Sequence, residues 1–475
     1  MLKADVHSYD AIIIGAGIGG LVCGCYLAKA GMKVLIAEQH HTPGGYCTSF
    51  RRGKYLFDAA PHCFGSYRED GMMRKILKGL DVDKGLKIHR PDPSDTVVTP
   101  DYRVSFYNDL DKTIQGFQEC FPHEGATIKN FFQLLQNVDP QSFAALRKLT
   151  FKQLLDQYFA DDKLKAIFSI PLLGINGLPP SMLSAFVGAK LYSEFLFDGG
   201  YVPQGGMQAL SDAIAARFQE MGGELRLSTL VKKISVQDGA VSGVMINDND
   251  FMPSRYVISN CDARQTFLNL LGKDALTDEF SLTLENMTPT MSNYILYLGM
   301  SAGFDPPLNP GTFYYYLNDY NVESAYQAIS KGNHSEYHGF ALRISPDKST
   351  IYTGMPANYK SPLYWKRNKY KILERFISKI EEMAIPRLSQ NILYKDAATP
   401  HTLGRYTLNY HGASYGWAGT PSQIILSCFR KPPFIRNLYL VGHWTTFGVG
   451  ISGVAYVGFD TALTIAKRAN KKNVL

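Results

Sequence analysis

With 475 residues, 45% of them hydrophobic and 19% charged, the chain is too long for one small core and too apolar to be disordered, so two or three lobes sharing a large interior are expected. Its net charge of +7 is spread out apart from Lys467, Arg468, Lys471 and Lys472, which read as a solvated helix end first and a lipid-headgroup contact second; nothing points to nucleic acid. Seven scattered cysteines (Cys23, Cys25, Cys47, Cys63, Cys120, Cys261, Cys428) show no paired spacing for zinc and fit a reducing, cytoplasmic setting.

Tyr9 to Ile14 is a short apolar run of the kind that makes a buried parallel strand. It passes straight into glycines, so no secretory leader is expected. Leu21 to Ala30 reads as a helix closed by Gly31, and Lys33 to Ala37 as a second strand ending at Glu38, which together make a βαβ unit. Residues 68–200 carry mainly helical patterns, broken by Pro171 and Pro179-Pro180. Gly205-Gly206 leads into a helix from Leu210 to Met221 closed by Gly222-Gly223. Leu225 to Val236 and Ala240 to Ile246 then read as strands about a turn at Asp238-Gly239, and Tyr256 to Ser259 as another. Strand-like runs return at Tyr294 to Leu298 and Phe313 to Leu317. The last elements are a strand from Asn437 to Val441 and a helix from about Ile451 to Ala469. No apolar run approaches the roughly 18 residues of a membrane span, so the chain reads as soluble or at most peripherally membrane-bound.

The expected fold class is α/β: a discontinuous Rossmann-like nucleotide-binding domain of residues 1–67, 201–265 and 400–475, with a mixed α+β substrate-binding domain of 68–200 and 266–399. The aromatic share of 12% suits either ordinary core or the lining of a tunnel for a long apolar ligand.

The chemistry concentrates in the first turn. Gly15 permits a sharp bend, Gly17 lets the backbone approach a pyrophosphate, Gly19 lies between, and Gly20 allows the helix to pack on the strand. Helix N–H groups then face the phosphates, and Glu38 at the next strand end can accept ribose hydroxyl hydrogen bonds. Gly44 and Gly45 would bring the chain back beside the pyrophosphate, with Tyr46 lining the site. Gly448 to Gly453 fits the same glycine spacing in the wrong context, with no second strand ending in an acid. It is therefore not a second nucleotide site, and a bound NAD(P)H is not expected.

The run from Gly15 through Glu38 to Pro43-Gly44-Gly45, then Phe57-Asp58, Pro203 to Gly206, Val257 to Asp262 and Leu440-Val441-Gly442, resembles the phytoene desaturase, carotenoid isomerase and retinol saturase group of the amine-oxidase-like flavoproteins. Thr399 to Thr402, Arg405-Tyr406, Asn409 and Gly412 to Gly416 resemble the carotenoid isomerase branch most closely. The resemblance implies FAD, with its adenosine end near Glu38 and Val231, its pyrophosphate at Gly15 to Gly20 and Gly44-Gly45, and its flavin near Gly442 and Gly450-Ile451. The helix start at Gly450 to Gly453 would then stabilise negative charge on the reduced ring. Tyr46 stands where the amine-oxidising branch commonly carries arginine, which argues against amine oxidation.

The resemblance also implies an apolar polyene as substrate, desaturated, isomerised or saturated by hydride exchange at flavin N5. His62 is a candidate proton carrier at its reference pKa near 6.5, Tyr415 is the second catalytic candidate, and Tyr415, His411, Trp417 and Trp444 are candidates for the wall around the ring. Cys23 and Cys25 read as small buried residues. Two alternatives stand beside this reading. One is a polyunsaturated fatty acid isomerase with Arg405 or another cation holding the carboxylate. The other is a non-catalytic prenyl-binding protein, since the Rab escort and GDP-dissociation inhibitor proteins resemble this fold. Oligomeric state is left open.

Overall fold

The computed structural model describes residues 9–247, 250–333, 339–425, 429–445, 447 and 450–471. Cys428, Lys472, Gly448 and Val449, singled out above, lie outside the described residues.

The first of two seven-stranded sheets runs in the order Val231–Gln237, Ala240–Ile246, Asp250–Ser259, Tyr9–Ile14, Val34–Ala37, Glu224–Arg226, with Leu438–Leu440 added alongside Asp250–Ser259. Tyr9–Ile14 pairs in parallel with Val34–Ala37 on one side and with the end of Asp250–Ser259 on the other. Both faces are covered, which is why YDAIII carries no polar alternation. Ala11 and Ile13 pack in the core under the first helix, whereas Tyr9, Ile12 and Ile14 pack in a second core on the opposite face.

The first helix, Ile18–Lys29, begins three residues earlier than its apolar pattern suggests, because the glycines themselves form its first turn. It is buried almost throughout and lies against the last helix, Gly450–Arg468. That crossing is close: a Cβ on Gly458 would stand 2.3 Å from the carbonyl oxygen of Gly19.

The second sheet runs Ile392–Ala398, Ser292–Met300, Thr350–Ala357, Gly339–Ile344, Phe313–Leu317, Asp95–Val98, Arg103–Phe106. Its Tyr294, Leu296 and Leu298 face the largest core, shared with the helices of residues 110–196, while Ile295 and Tyr297 face Tyr55 and Phe57 of a small hairpin.

Two expectations are corrected. Pro171 does not break a helix but sits inside Asp162–Asn176, surrounded by buried Ile170, Leu172 and Leu173; tertiary burial on all sides outweighs the lost backbone bond. Pro179-Pro180 does lie between helices. Leu225 to Val236 is two strands, Glu224–Arg226 and Val231–Gln237, at opposite edges of the first sheet. The turn between them begins with Ser228 at φ 51° and carries Thr229, whose N–H donates to the Glu38 carbonyl at 2.7 Å. Within the mainly helical residues 68–200, Asp95–Val98 and Arg103–Phe106 close the second sheet. No helix among the described residues is long and apolar enough to cross a membrane.

Candidate active site

One cleft opens at the carboxyl ends of the parallel strands, where Gly15, Glu38, Asn260 and Gly442 follow Ile14, Ala37, Ser259 and Val441. This edge is where open α/β sheets place ligands, because every crossover leaves it there. Of the site residues read from the sequence, Gly15, Gly17, Gly19, Glu38, Gly44, Gly45, Tyr46, His62, Val231, Tyr415, Gly442, Gly450 and Ile451 all line it. Gly20 does not: it lies beneath the turn, where a Cβ would meet the Gly15 carbonyl oxygen at 2.3 Å.

Gly15 turns the chain at φ 95°, and the helix starts with Gly17 as its cap and no side chain bonded to its free N–H groups. Those groups carry the positive end of the helix dipole into the cleft. Gly44 donates its N–H to the Ala16 carbonyl at 2.8 Å, pinning the second glycine pair to the first turn. The Glu38 carboxylate, 6% exposed, accepts the N–H of Ala16 at 2.7 Å and of His40 at 2.9 Å. A carboxylate offers about four acceptor sites, so acceptor capacity remains for a ligand.

Further along, Tyr46 donates to the Gly412 and Ala413 carbonyls at 3.2 and 3.1 Å, and its ring stacks on His443 at 6.0 Å. Burial raises the Tyr46 phenol to about 12. The Trp444 indole N–H donates to Asn409 Oδ1 at 2.9 Å, which turns the Asn409 amide N–H toward His443 Nε2 at 3.4 Å. His443 must accept there, so it is neutral, in keeping with burial lowering its pKa to about 4. Ser452, in the first turn of the last helix, donates to the Gly65 carbonyl at 2.5 Å and ties that helix to the segment carrying His62.

The cleft continues into a chamber walled by Ile170, Leu173, Ile295, Phe313, Phe340, Tyr352 and Met355. His62 is held there between Phe313 at 4.3 Å and Tyr352 at 4.7 Å, with its Nδ1 lacking a partner. Burial first, and the Arg343 guanidinium second, lower its pKa well below 6.5. At neutral pH His62 therefore carries no charge, and its proton chemistry is that of a neutral imidazole. Arg343, 6% exposed, donates Nη1 to the His62 carbonyl at 2.7 Å, while its Nε and Nη2 have no partner. Tyr415 donates to the Gly174 carbonyl at 3.2 Å, and burial raises its phenol to about 12.

Three candidates are not brought to the cleft. Arg405 is exposed, stacked over Tyr406 at 4.9 Å; His411 is exposed between Tyr359 and Tyr410; Trp417 is buried behind Trp444 at 4.8 Å. Conversely, Asn260 was missed as a site residue although it follows the strand at Tyr256 to Ser259. It donates to the Gly15 carbonyl at 3.3 Å, and its side chain would lie 2.7 Å from a Cβ on Gly17 and 2.6 Å from one on Gly442. Its position one residue past a parallel strand, level with Gly15, was the available signal. Arg343, Phe313 and Tyr352 come from distant strands and left no local signal.

The description of the flavin containing amine oxidoreductase family matches residues 18–465. The chain belongs to this family. Similar proteins include prolycopene isomerase of Daucus carota, 26% identical over 97% of this chain and 80% of that protein. All-trans-retinol 13,14-reductase of Danio rerio is 24% identical over 91% and 82%, and the neurosporene-forming phytoene desaturase of Rhodobacter capsulatus 25% over 94% and 91%. In fold, the chain is similar to an oxidoreductase from Methanosarcina mazei, with TM-score 0.66, 17% identity and coverage of 95% and 99%. Putrescine oxidase bound to putrescine gives TM-score 0.67, 14% identity and coverage of 97% and 99%.

The protein is accordingly an FAD-dependent oxidoreductase. The cleft fits that cofactor on its own terms. A buried carboxylate keeps free acceptors at one end, an uncapped helix start faces the middle, and glycines stand where side chains would collide with backbone or with Asn260.

Proposed function

We propose that this flavoprotein acts on carbon–carbon double bonds of an apolar polyene of the carotenoid or isoprenoid kind, as a desaturase, isomerase or saturase. One observation carries this reading. Among the described residues lining the cleft, Glu38 is the only Asp, Glu, Lys or Arg, and it lies at the glycine end. The chamber beyond offers mainly aliphatic and aromatic walls; the Arg343 guanidinium, bonded to the His62 carbonyl, is not among the residues that line it. Arg405, the anchor first named for a fatty acid reading, is out on the surface. The relatives named above, an isomerase, a reductase and a desaturase of polyenes by their names, support the same class.

In this reading Glu38 and Val231 hold the adenosine end of FAD, Gly15, Gly17, Gly19, Gly44 and Gly45 its pyrophosphate, and Tyr46, Gly442, Gly450 and Ile451 the flavin. Gly20 acts beneath the turn. Bound there, the flavin supplies hydride acceptance and return at N5. The protein's share is orientation and exclusion of water: the chamber walls hold an extended chain against the ring and keep bulk water out. His62 takes up or returns a proton at Nδ1 as a neutral imidazole, and Tyr415 serves as a phenol that stays protonated. The nucleotide-binding part comprises 1–67, 201–265 and 400–475, and the substrate part 68–200 and 266–399; the separate strand membership of the two sheets supports this division.

The test is anaerobic incubation of the yellow protein with candidate polyenes while flavin absorbance is followed. Lasting bleaching with a more unsaturated product indicates desaturation, product without net bleaching indicates isomerisation, and turnover only after prior flavin reduction indicates saturation. A flavin-loaded protein that leaves carotenoids and retinoids unchanged in both redox states would overturn the proposal.

A further inference from the structure

The strand Ser292–Met300 turns Asn293, Ile295 and Tyr297 to one face. Ile295 walls the chamber, as do Gly354 and Pro356, which stand opposite Ile295 and Asn293 on the neighbouring strand. Asn293 lines the chamber too. An amide is out of place in this company, because asparagine is depleted in strands and a polar group among apolar walls costs free energy unless it is hydrogen-bonded. Asn293 Nδ2 donates to Ser414 Oγ at 2.7 Å, and the same amide supports the Tyr415 hydroxyl. Its Oδ1 accepts from no group among the described residues and is open to the chamber. Ser414 lines the chamber as well; its oxygen accepts from Asn293, while its hydroxyl proton has no acceptor among the described residues.

Fastening residues 412–416 to the sheet would account for the bond between the two side chains. That segment is already fastened. The Ser414 N–H donates to the Met291 carbonyl at 3.1 Å, the Tyr415 N–H to Thr290 Oγ1 at 3.0 Å, and the Thr290 N–H to the Gly416 carbonyl at 2.8 Å. Asn293 and Ser414 are thus held in place by the backbone on both sides, and together they leave one acceptor and one donor over. Gly412 and Ala413, whose carbonyls hold Tyr46, directly precede Ser414, so the pair stands at the flavin end of the chamber in the proposed arrangement.

We infer that Asn293 and Ser414 select a polyene carrying a hydroxyl group at the end that approaches the flavin, so that the substrate class of this chamber is a polyene alcohol rather than a hydrocarbon. An alcohol donates to Asn293 Oδ1 and accepts from Ser414, which satisfies both groups at once. A hydrocarbon leaves both unpaired. An ether or a ketone accepts from Ser414 but offers nothing to Asn293, and a carboxylate would set its charge against Oδ1 with no lining cation beside it. The inference rests on the proposed polyene reading and narrows it.

The experiment titrates the FAD-loaded full chain with all-trans-retinol, its methyl ether and the matching hydrocarbon without oxygen, reading dissociation constants from quenching of tryptophan fluorescence. Zeaxanthin against β-carotene repeats the comparison for a longer chain. The measured quantity is the preference for alcohol over hydrocarbon, which cancels the general pull of an apolar chamber. Two neutral hydrogen bonds should make that preference roughly 5- to 100-fold greater in the native chain than in Asn293→Leu. Ser414→Ala, which keeps the backbone bonds of its segment, should lose a smaller share. Flavin absorbance checks that each variant is folded and loaded. A purely structural role would weaken alcohol and hydrocarbon together and leave the preference unmoved. An equal preference in the native chain and both variants, in both series, overturns the inference while the polyene reading stands. A methyl ether bound as tightly as the alcohol also overturns it, since an ether cannot donate to Asn293. If no polyene of either series binds, the polyene reading falls and this inference with it.

Discussion

His443 shows how a single side chain takes its protonation state from its neighbours. Trp444 fixes the Asn409 amide, the amide N–H points at His443, and only a neutral imidazole can accept it. The consequence for stability has a definite sign. In the unfolded chain a histidine binds a proton below about 6.5, whereas in the fold His443 does so only below about 4. Between those values the unfolded state holds more protons, so stability rises with pH and is complete above the higher value. His62, whose pKa is also lowered by burial, adds in the same direction. Thermal unfolding followed from pH 7 to pH 4.5 should therefore show a falling midpoint, and His443→Gln should flatten that slope. An unchanged slope in the variant would mean the imidazole is not buried neutral.

At the scale of elements, the contact between the first and last helices decides whether the glycine turn keeps its shape. Their backbones meet at Gly19 and Gly458, and the rings of Tyr26 and Phe459 close the same seam at 4.7 Å. Because the obstructing atom is a carbonyl oxygen rather than a flexible side chain, the strain of a larger residue passes directly into the first helical turn. Gly458→Val should cost about 1–3 kcal/mol as overpacking and should reduce bound flavin at the same time. Denaturant titration together with the ratio of visible to ultraviolet absorbance checks both. Loss of stability with full flavin content would detach the seam from the cofactor site. The same scale explains Pro171: helix breaking is a local tendency, and a proline surrounded by core on every side is carried by that core.

For the molecule as a whole, the cleft draws on residues from Ile14 to Val454, so its shape exists only once both sheets are assembled. A ligand that binds only the assembled state stabilises it by mass action. FAD at about a hundred times its dissociation constant should raise the unfolding free energy by about 2.7 kcal/mol. Glu38→Gln keeps the shape of the site but loses the charge that binds the Ala16 and His40 N–H groups. Hydrogen bonds to a charged group contribute about 1.5–3 kcal/mol, so about 10- to 100-fold more FAD should be needed for the same shift. Equal FAD titrations for the two proteins would remove Glu38 from the site.

What could be read directly from the residues was whatever is local. The strand Tyr9–Ile14, the glycine turn and Glu38 lie within about one βαβ unit, and there backbone conformation and hydrogen-bonding capacity follow from residue type alone. The late strand Leu438–Leu440 and the helix Gly450–Arg468 were legible for the same reason, as apolar runs of the right period. The chamber was not. Phe313, Tyr352, Arg343 and His62 come from three strands and a loop, and each side chain looks like core until the sheet register brings the four together. Arg405 and His411 failed in the opposite way: Arg405 lies on the exposed side of the helix Pro400–Thr407, and His411, in a turn at φ 53°, is exposed as well. Direction, burial and charge compensation are properties of packing between distant segments, and only the tertiary structure could decide them.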